Sequence, residues 1–150
     1  MSQVIRVYLN GSRLPDVAVW QAGLTAHGFA FVLDPSVSLP THEGYLPVTC
    51  EGIETGFEFY LDPVSTAELA GGRDQSATFR WGSDPHALVA ASACAAVLTA
   101  LTDGVFFDAE GGEVVPAEQA LADARATRDE GLWPADLPPV SPPKPWWKFW

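Results

Sequence analysis

The sequence predicts an α+β fold. One domain should hold a mainly antiparallel sheet with two or three helices packed on one face, followed by an extended Pro/Trp-rich C-terminal tail. Three observations carry that expectation. Short runs alternate apolar and polar residues between Gly, Pro, Asn and Asp, the pattern of half-buried strands. Longer stretches repeat their apolar residues at helical spacing. Several strand-like runs are joined by turns too short for a crossover helix, which favours antiparallel pairing. The chain has 150 residues, 47% of them hydrophobic and 18% charged, which is enough for one full core. The domain is assigned to residues 1–131 and the tail to 132–150.

Residues 4–9, VIRVYL, read as a first strand closed by Asn10-Gly11. Pro15 suits the first turn of a helix in which Val17, Trp20 and Leu24 share a face, with Gly28 as its stop. FAFVLD follows as a short strand, and VSLPTHEGY reads as irregular. LPVTCEGIETGFEFYLD gives two β-like runs around Gly52 and Gly56. In the second, Phe57, Phe59 and Leu61 point one way while Glu58 and Tyr60 point the other. VSTAELAGG is a short helix or loop, and SATFRWG another strand.

Ser83-Asp84-Pro85 is the sharpest local signal. A capping oxygen before a first-turn proline starts a helix, because the cap accepts orphan amide protons and proline has none to place. That helix, PHALVAASACAAVLTALT, runs to Thr102 or Asp103 and stops at Gly104. It is about as long as a membrane span, but it is mostly Ala, Ser and Thr and is flanked by Asp84 and Asp103, so it reads as a buried helix. VFFDAEGGEVV reads as a hairpin turning at Glu110-Gly111-Gly112. In PAEQALADARATRDEG, Ala117, Ala120, Leu121 and Ala124 form the stripe of a final, more exposed helix. The tail has prolines at 138, 139, 142, 143 and 145 and ends in Trp146, Trp147, Lys148, Phe149 and Trp150. Its prolines favour an extended arm.

Nineteen carboxylates oppose eight Lys and Arg, for a formal net charge of -11. Such a surface repels phosphate backbones, so no nucleic-acid partner is expected. Lys144 and Lys148 are the only lysines, so the tail is basic while the body is acidic. The N-terminal residues lack the basic and apolar regions of a secretory signal. Cys50 and Cys94 are too few for a disulfide scaffold and stand in no metal-ligand spacing, which fits buried free thiols in a reducing compartment.

No catalytic, metal or cofactor constellation is assembled. His27, His42 and His86 lack a partner at i+4, and no P-loop, GxGxxG or GxSxG occurs. Glu51, Glu54 and Glu58 gather around one hairpin, where solvation alone explains acidic residues. With Tyr60 they also make candidate partner-binding residues, since carboxylates steer association and an aromatic ring anchors it. Trp146, Trp147, Phe149 and Trp150 are candidates for a docking tail.

The run EGYLPVTCEGIETGFEFYLD, followed by FRWGSDPHALVAASACAAVLTALTDGVFFDAEGGEVV, resembles in pattern the small acidic α+β bacterial immunity-type proteins. The resemblance spans most of residues 4–125 and is architectural, so no family residue is carried over. It implies a cytoplasmic, non-enzymatic protein that neutralises a toxin or effector domain by stoichiometric binding through an acidic surface. An alternative is a peripheral membrane or scaffold-tethered protein anchored by the tail, with Trp at the interface and Lys reaching headgroups. The third reading is an enzyme using His42 and the Glu51 and Glu54 carboxylates.

Overall fold

The computed structural model describes residues 3–39, 41–64, 73–82, 84–109 and 111–129. Seven antiparallel strands form one sheet: β1 (Gln3–Leu9), β2 (Phe31–Leu33), β3 (Gly44–Cys50), β4 (Ile53–Pro63), β5 (Gln75–Trp81), β6 (Val105–Asp108) and β7 (Glu113–Val115). Their spatial order is β2-β3-β4-β5-β1-β6-β7, so the first strand of the chain lies between β5 and β6. Three helices are described, α1 (Val17–Ala26), α2 (Pro85–Thr102) and α3 (Ala117–Asp129), with a 3-10 turn at Gly11–Arg13. The α+β expectation therefore holds. The proposed short helix in VSTAELAGG falls almost wholly outside the described residues, as does the whole tail.

Strand alternation decides which side the helices cover. Ile5, Val7 and Leu9 of β1, Phe57 and Phe59 of β4, and Ala77, Phe79 and Trp81 of β5 are all buried. The register pairs Ile5 with Phe79 and Phe79 with Phe59, so these side chains share one face of the sheet. Against that face lies α2, with Asp84 capping its start by accepting from the His86 amide at 3.0 Å. Thirteen of its eighteen residues are buried. By length and composition α2 is the one described helix that meets the measure of a membrane span, yet the sheet, α1 and α3 surround it.

Small side chains bring the helices close. A Cβ on Gly23 of α1 would come within 2.8 Å of Val97 Cγ1, so glycine lets the α1 backbone reach α2. Ala120 and Ala124 do the same for α3. Trp20 spans the layers: its Nε1 donates to the Cys94 carbonyl at 3.0 Å and its ring meets Phe59 and Phe79.

An exposed strand edge invites pairing with another chain. The outer edge of β2 is closed by one side chain, Gln21 of α1. Its amide donates to Phe31 O and its carbonyl accepts from Leu33 N, both at 2.7 Å. A glutamine there stands in for the peptide group of a further strand.

Two local readings are corrected. The segment read as irregular ends in strand, because Gly44 and Tyr45 already pair with Phe59 and Glu58. Gly56 interrupts nothing; it lies inside β4 opposite Pro47. The turn is at Glu51-Gly52 alone, where both residues have positive φ, 49° and 87°. A two-residue hairpin loop of this hand matches strand twist, and it favours Asn or Gly over glutamate at its first position. Glu51→Asn should therefore stabilise the domain by about 0.5–1 kcal/mol, read as a higher urea midpoint with unchanged slope.

Both cysteines are free and buried. Burial, followed by the charges of Glu51 and Asp84, pushes the Cys50 thiol from 9.0 up to about 12, and burial raises Cys94 as well. Iodoacetamide at about pH 8 should leave both untouched in the native protein and label both in urea. The folded protein holds these protons more tightly than the unfolded chain does. For Cys50 this stabilisation is complete below about pH 9 and is lost as pH rises towards 12. The Cys50 thiol should lower stability by about 1.4 kcal/mol per pH unit in that window, seen as falling urea midpoints.

Candidate functional site: the open face of the sheet

The three described helices pack on the face just described, and among the described residues no helix covers the opposite face of the sheet. The register assembles it in two transverse rows. Tyr45 of β3, Glu58 of β4, Arg80 of β5 and Val4 of β1 form one. Tyr60 of β4, Thr78 of β5, Arg6 of β1, Phe107 of β6 and Val114 of β7 form the other. Val32 of β2 lies on the same side, through Thr49 and Glu54.

Among the described residues, four large hydrophobic side chains are exposed, and Val32, Tyr45 and Val114 are three of them. The fourth, Val19, is on α1. The first three lie on the open face but apart, Val32 and Val114 on its two edge strands and Tyr45 on β3.

Tyr45 is fixed by what lies beneath it. Its ring rests on Gly56, where a Cβ would sit 2.6 Å from Tyr45 Cζ and Oη and 2.5 Å from the Leu46 carbonyl oxygen. One side of the ring seals the strand at its glycine and the other faces outward, leaving the residue 58% exposed. Beside it, the Tyr60 hydroxyl donates to Glu58 Oε1 at 2.7 Å. That bond to a carboxylate raises the Tyr60 pKa, because ionisation would set two negative charges together. Tyr8, on the same face, is buried with its ring 6.2 Å from that of Phe107.

The candidate contact residues are only partly united. Glu54, Glu58 and Tyr60 share one side of β4 at even spacing. Glu51 is off that row, at the tip of the β3–β4 hairpin, where its amide donates to the Ala30 carbonyl at 3.1 Å. Arg80 stands directly across from Glu58, and Arg6 across from Thr78, so the face carries carboxylates on β4 and guanidiniums on the next two strands. Sequence reasoning missed Tyr45, Arg80 and Arg6 as companions of Glu58. Tyr45 seemed to lie in a loop, and the arginines arrive by pairing between strands distant in sequence.

His42 lies away from the carboxylates suggested as its partners. Its Nε2 is 3.2 Å from the Gly44 carbonyl oxygen, at the start of β3. Glu54 pairs with Thr49 near the far end of that seven-residue strand and Glu51 follows that end, roughly 15–25 Å off at a strand's rise per residue. Among the described residues, no three His, Cys, Asp or Glu side chains gather as metal ligands would. Trp146, Trp147, Phe149 and Trp150 lie outside the described residues.

No family model matches this chain, and neither a curated protein nor a solved structure does. The candidate site therefore stands on its own geometry.

Proposed function

We propose that this chain is a non-enzymatic protein-binding domain of the immunity type, which neutralises a toxin or effector domain by covering it with the open face of the sheet. The observation that supports this most is the exposed Tyr45 ring seated on Gly56, beside Glu58 and Arg80, on the sheet face that the described helices do not cover. Tyr45 is suited to anchor a partner, since its ring is held against Gly56 and loses little freedom on binding. Glu54 and Glu58 would speed encounter with a basic surface, and Arg80 and Arg6 would set its orientation. The net charge of -11 adds long-range attraction for a basic protein. A cytoplasmic setting agrees with the two free thiols.

The test compares capture by the wild-type chain with capture by Tyr45→Ala and by the double variant Glu54→Lys/Glu58→Lys. Wild type should retain one protein at a one-to-one ratio, and both variants should weaken it at least tenfold. Val19→Ala, on the helical side, should capture normally. Equal retention by the face variants would move the interface elsewhere.

A further inference from the structure

The open face repeats itself in reverse. In the row through Glu58, the order across β3, β4, β5 and β1 is Tyr45, Glu58, Arg80, Val4. Read from either end it runs apolar, charged, charged, apolar, and the two charges are opposite in sign. The row through Tyr60 does the same about the same seam. Glu43 ends its β3 side: it directly precedes Gly44, which pairs with Phe59, and its charge bears on Tyr60. Arg6 ends the β1 side, with Tyr60 and Thr78 between them. Two carboxylates on one side of the β4–β5 seam thus balance two guanidiniums on the other.

We propose that this face is the interface of a homodimer, in which a second copy stacks sheet to sheet about a two-fold axis along the β4–β5 seam. Such an axis keeps each row at its own height and exchanges its ends. Glu58 of one copy then lies over Arg80 of the other, and Arg80 over Glu58, a square of alternating charge. Glu43 meets Arg6 and Tyr45 meets Val4, each of them twice. The strands of the two sheets stay aligned, as in face-to-face packing at about 10 Å.

A surface can meet a copy of itself only if it is self-complementary, and this one matches in both charged rows. The net charge of -11 opposes pairing at long range. Its excess lies off these balanced rows, however, and charges separated by more than about 8 Å are largely screened at physiological salt. Tyr45 and Arg80 are exposed, whereas Tyr8 and Ser76, the next pair along the face, are buried. The contact is therefore centred on the rows of Glu58 and Tyr60 and spans four strands, about 20 Å at ~4.8 Å per strand. That is at the low end for specific interfaces, so the dimer should dissociate in about the micromolar range. The dimer does not depend on the protein-binding reading. Where that reading holds, the two copies separate before a different partner is covered.

Sedimentation equilibrium of the full chain alone, over about two decades of concentration, tests the proposal. Wild type should pass from monomer to dimer. Glu58→Arg and Arg80→Glu should each weaken the dimer about tenfold or more, since each sets like charges face to face. A one-to-one mixture of these two variants should restore it to within about threefold of wild type, because every opposed pair is again unlike. Glu43→Arg and Arg6→Glu repeat the cycle on the second row, and far-UV circular dichroism checks the fold of each variant. A wild-type chain that stays monomeric, or dimers that the single variants leave intact, would overturn the proposal. So would failure of both mixtures, which removes the two-fold register. No partner is present in these measurements, so a monomer that still captures its partner rejects the dimer alone.

Discussion

Trp20→Ala should remove about 4 kcal/mol of stability, a large share of what a domain of this size possesses. Trp20 is fully buried, and its ring centroid lies 5.6 Å from Phe59 and 6.0 Å from Phe79. Its truncation leaves a large void bounded by sheet aromatics and by α2, and tightly packed neighbours relax into it only in part. Urea unfolding followed by far-UV circular dichroism measures the loss as a lower midpoint. Trp20→Phe separates ring from indole N–H: it keeps much of the volume and loses the bond to the Cys94 carbonyl. Its expected cost is about 1–2 kcal/mol. A loss below about 1 kcal/mol for the alanine variant would mean that the layers close without the indole.

Local chemistry made part of this fold legible in the sequence. The cap and proline at Asp84-Pro85 announced α2, because both act on amides within one helical turn. Alternation in FEFYL separated Phe57 and Phe59 from Glu58 and Tyr60, because a strand turns successive side chains to opposite faces. Strand order was not legible. It depends on β1 entering between β5 and β6, a contact between distant segments that no local pattern encodes. The candidate site inherited that limit. Glu58 was visible as an outward carboxylate, but the positions of Arg80 and Arg6 beside it follow from inter-strand register.

Gly56 misled for a different reason. A glycine within an apolar run usually signals a turn or bulge, whereas here it marks the place where another group lies against the backbone. Two neighbours occupy the space of a Cβ, the Tyr45 ring and the Leu46 carbonyl oxygen. The first is a side chain that can swing aside; the second belongs to the paired strand and moves only if β3 and β4 separate.

Gly56→Ala should cost about 2–3 kcal/mol, as overpacking does where the obstructing atoms are fixed. The urea midpoint of Gly56→Ala measures that cost, and Tyr45→Ala alone supplies the reference for a double-mutant cycle. Adding Tyr45→Ala to Gly56→Ala should recover only part of the loss, because the clash with the Leu46 carbonyl persists. Full recovery would show that the ring alone excludes a side chain at this position. The single substitution should also lift Tyr45 from its seat and weaken capture of any partner that uses the open face. Tyr45→Phe keeps the ring on Gly56, so its stability should stay within about 0.5 kcal/mol of wild type. A Gly56→Ala protein as stable as wild type would mean that β3 yields at this point, and with it the rigid seat on which the anchoring role of Tyr45 depends.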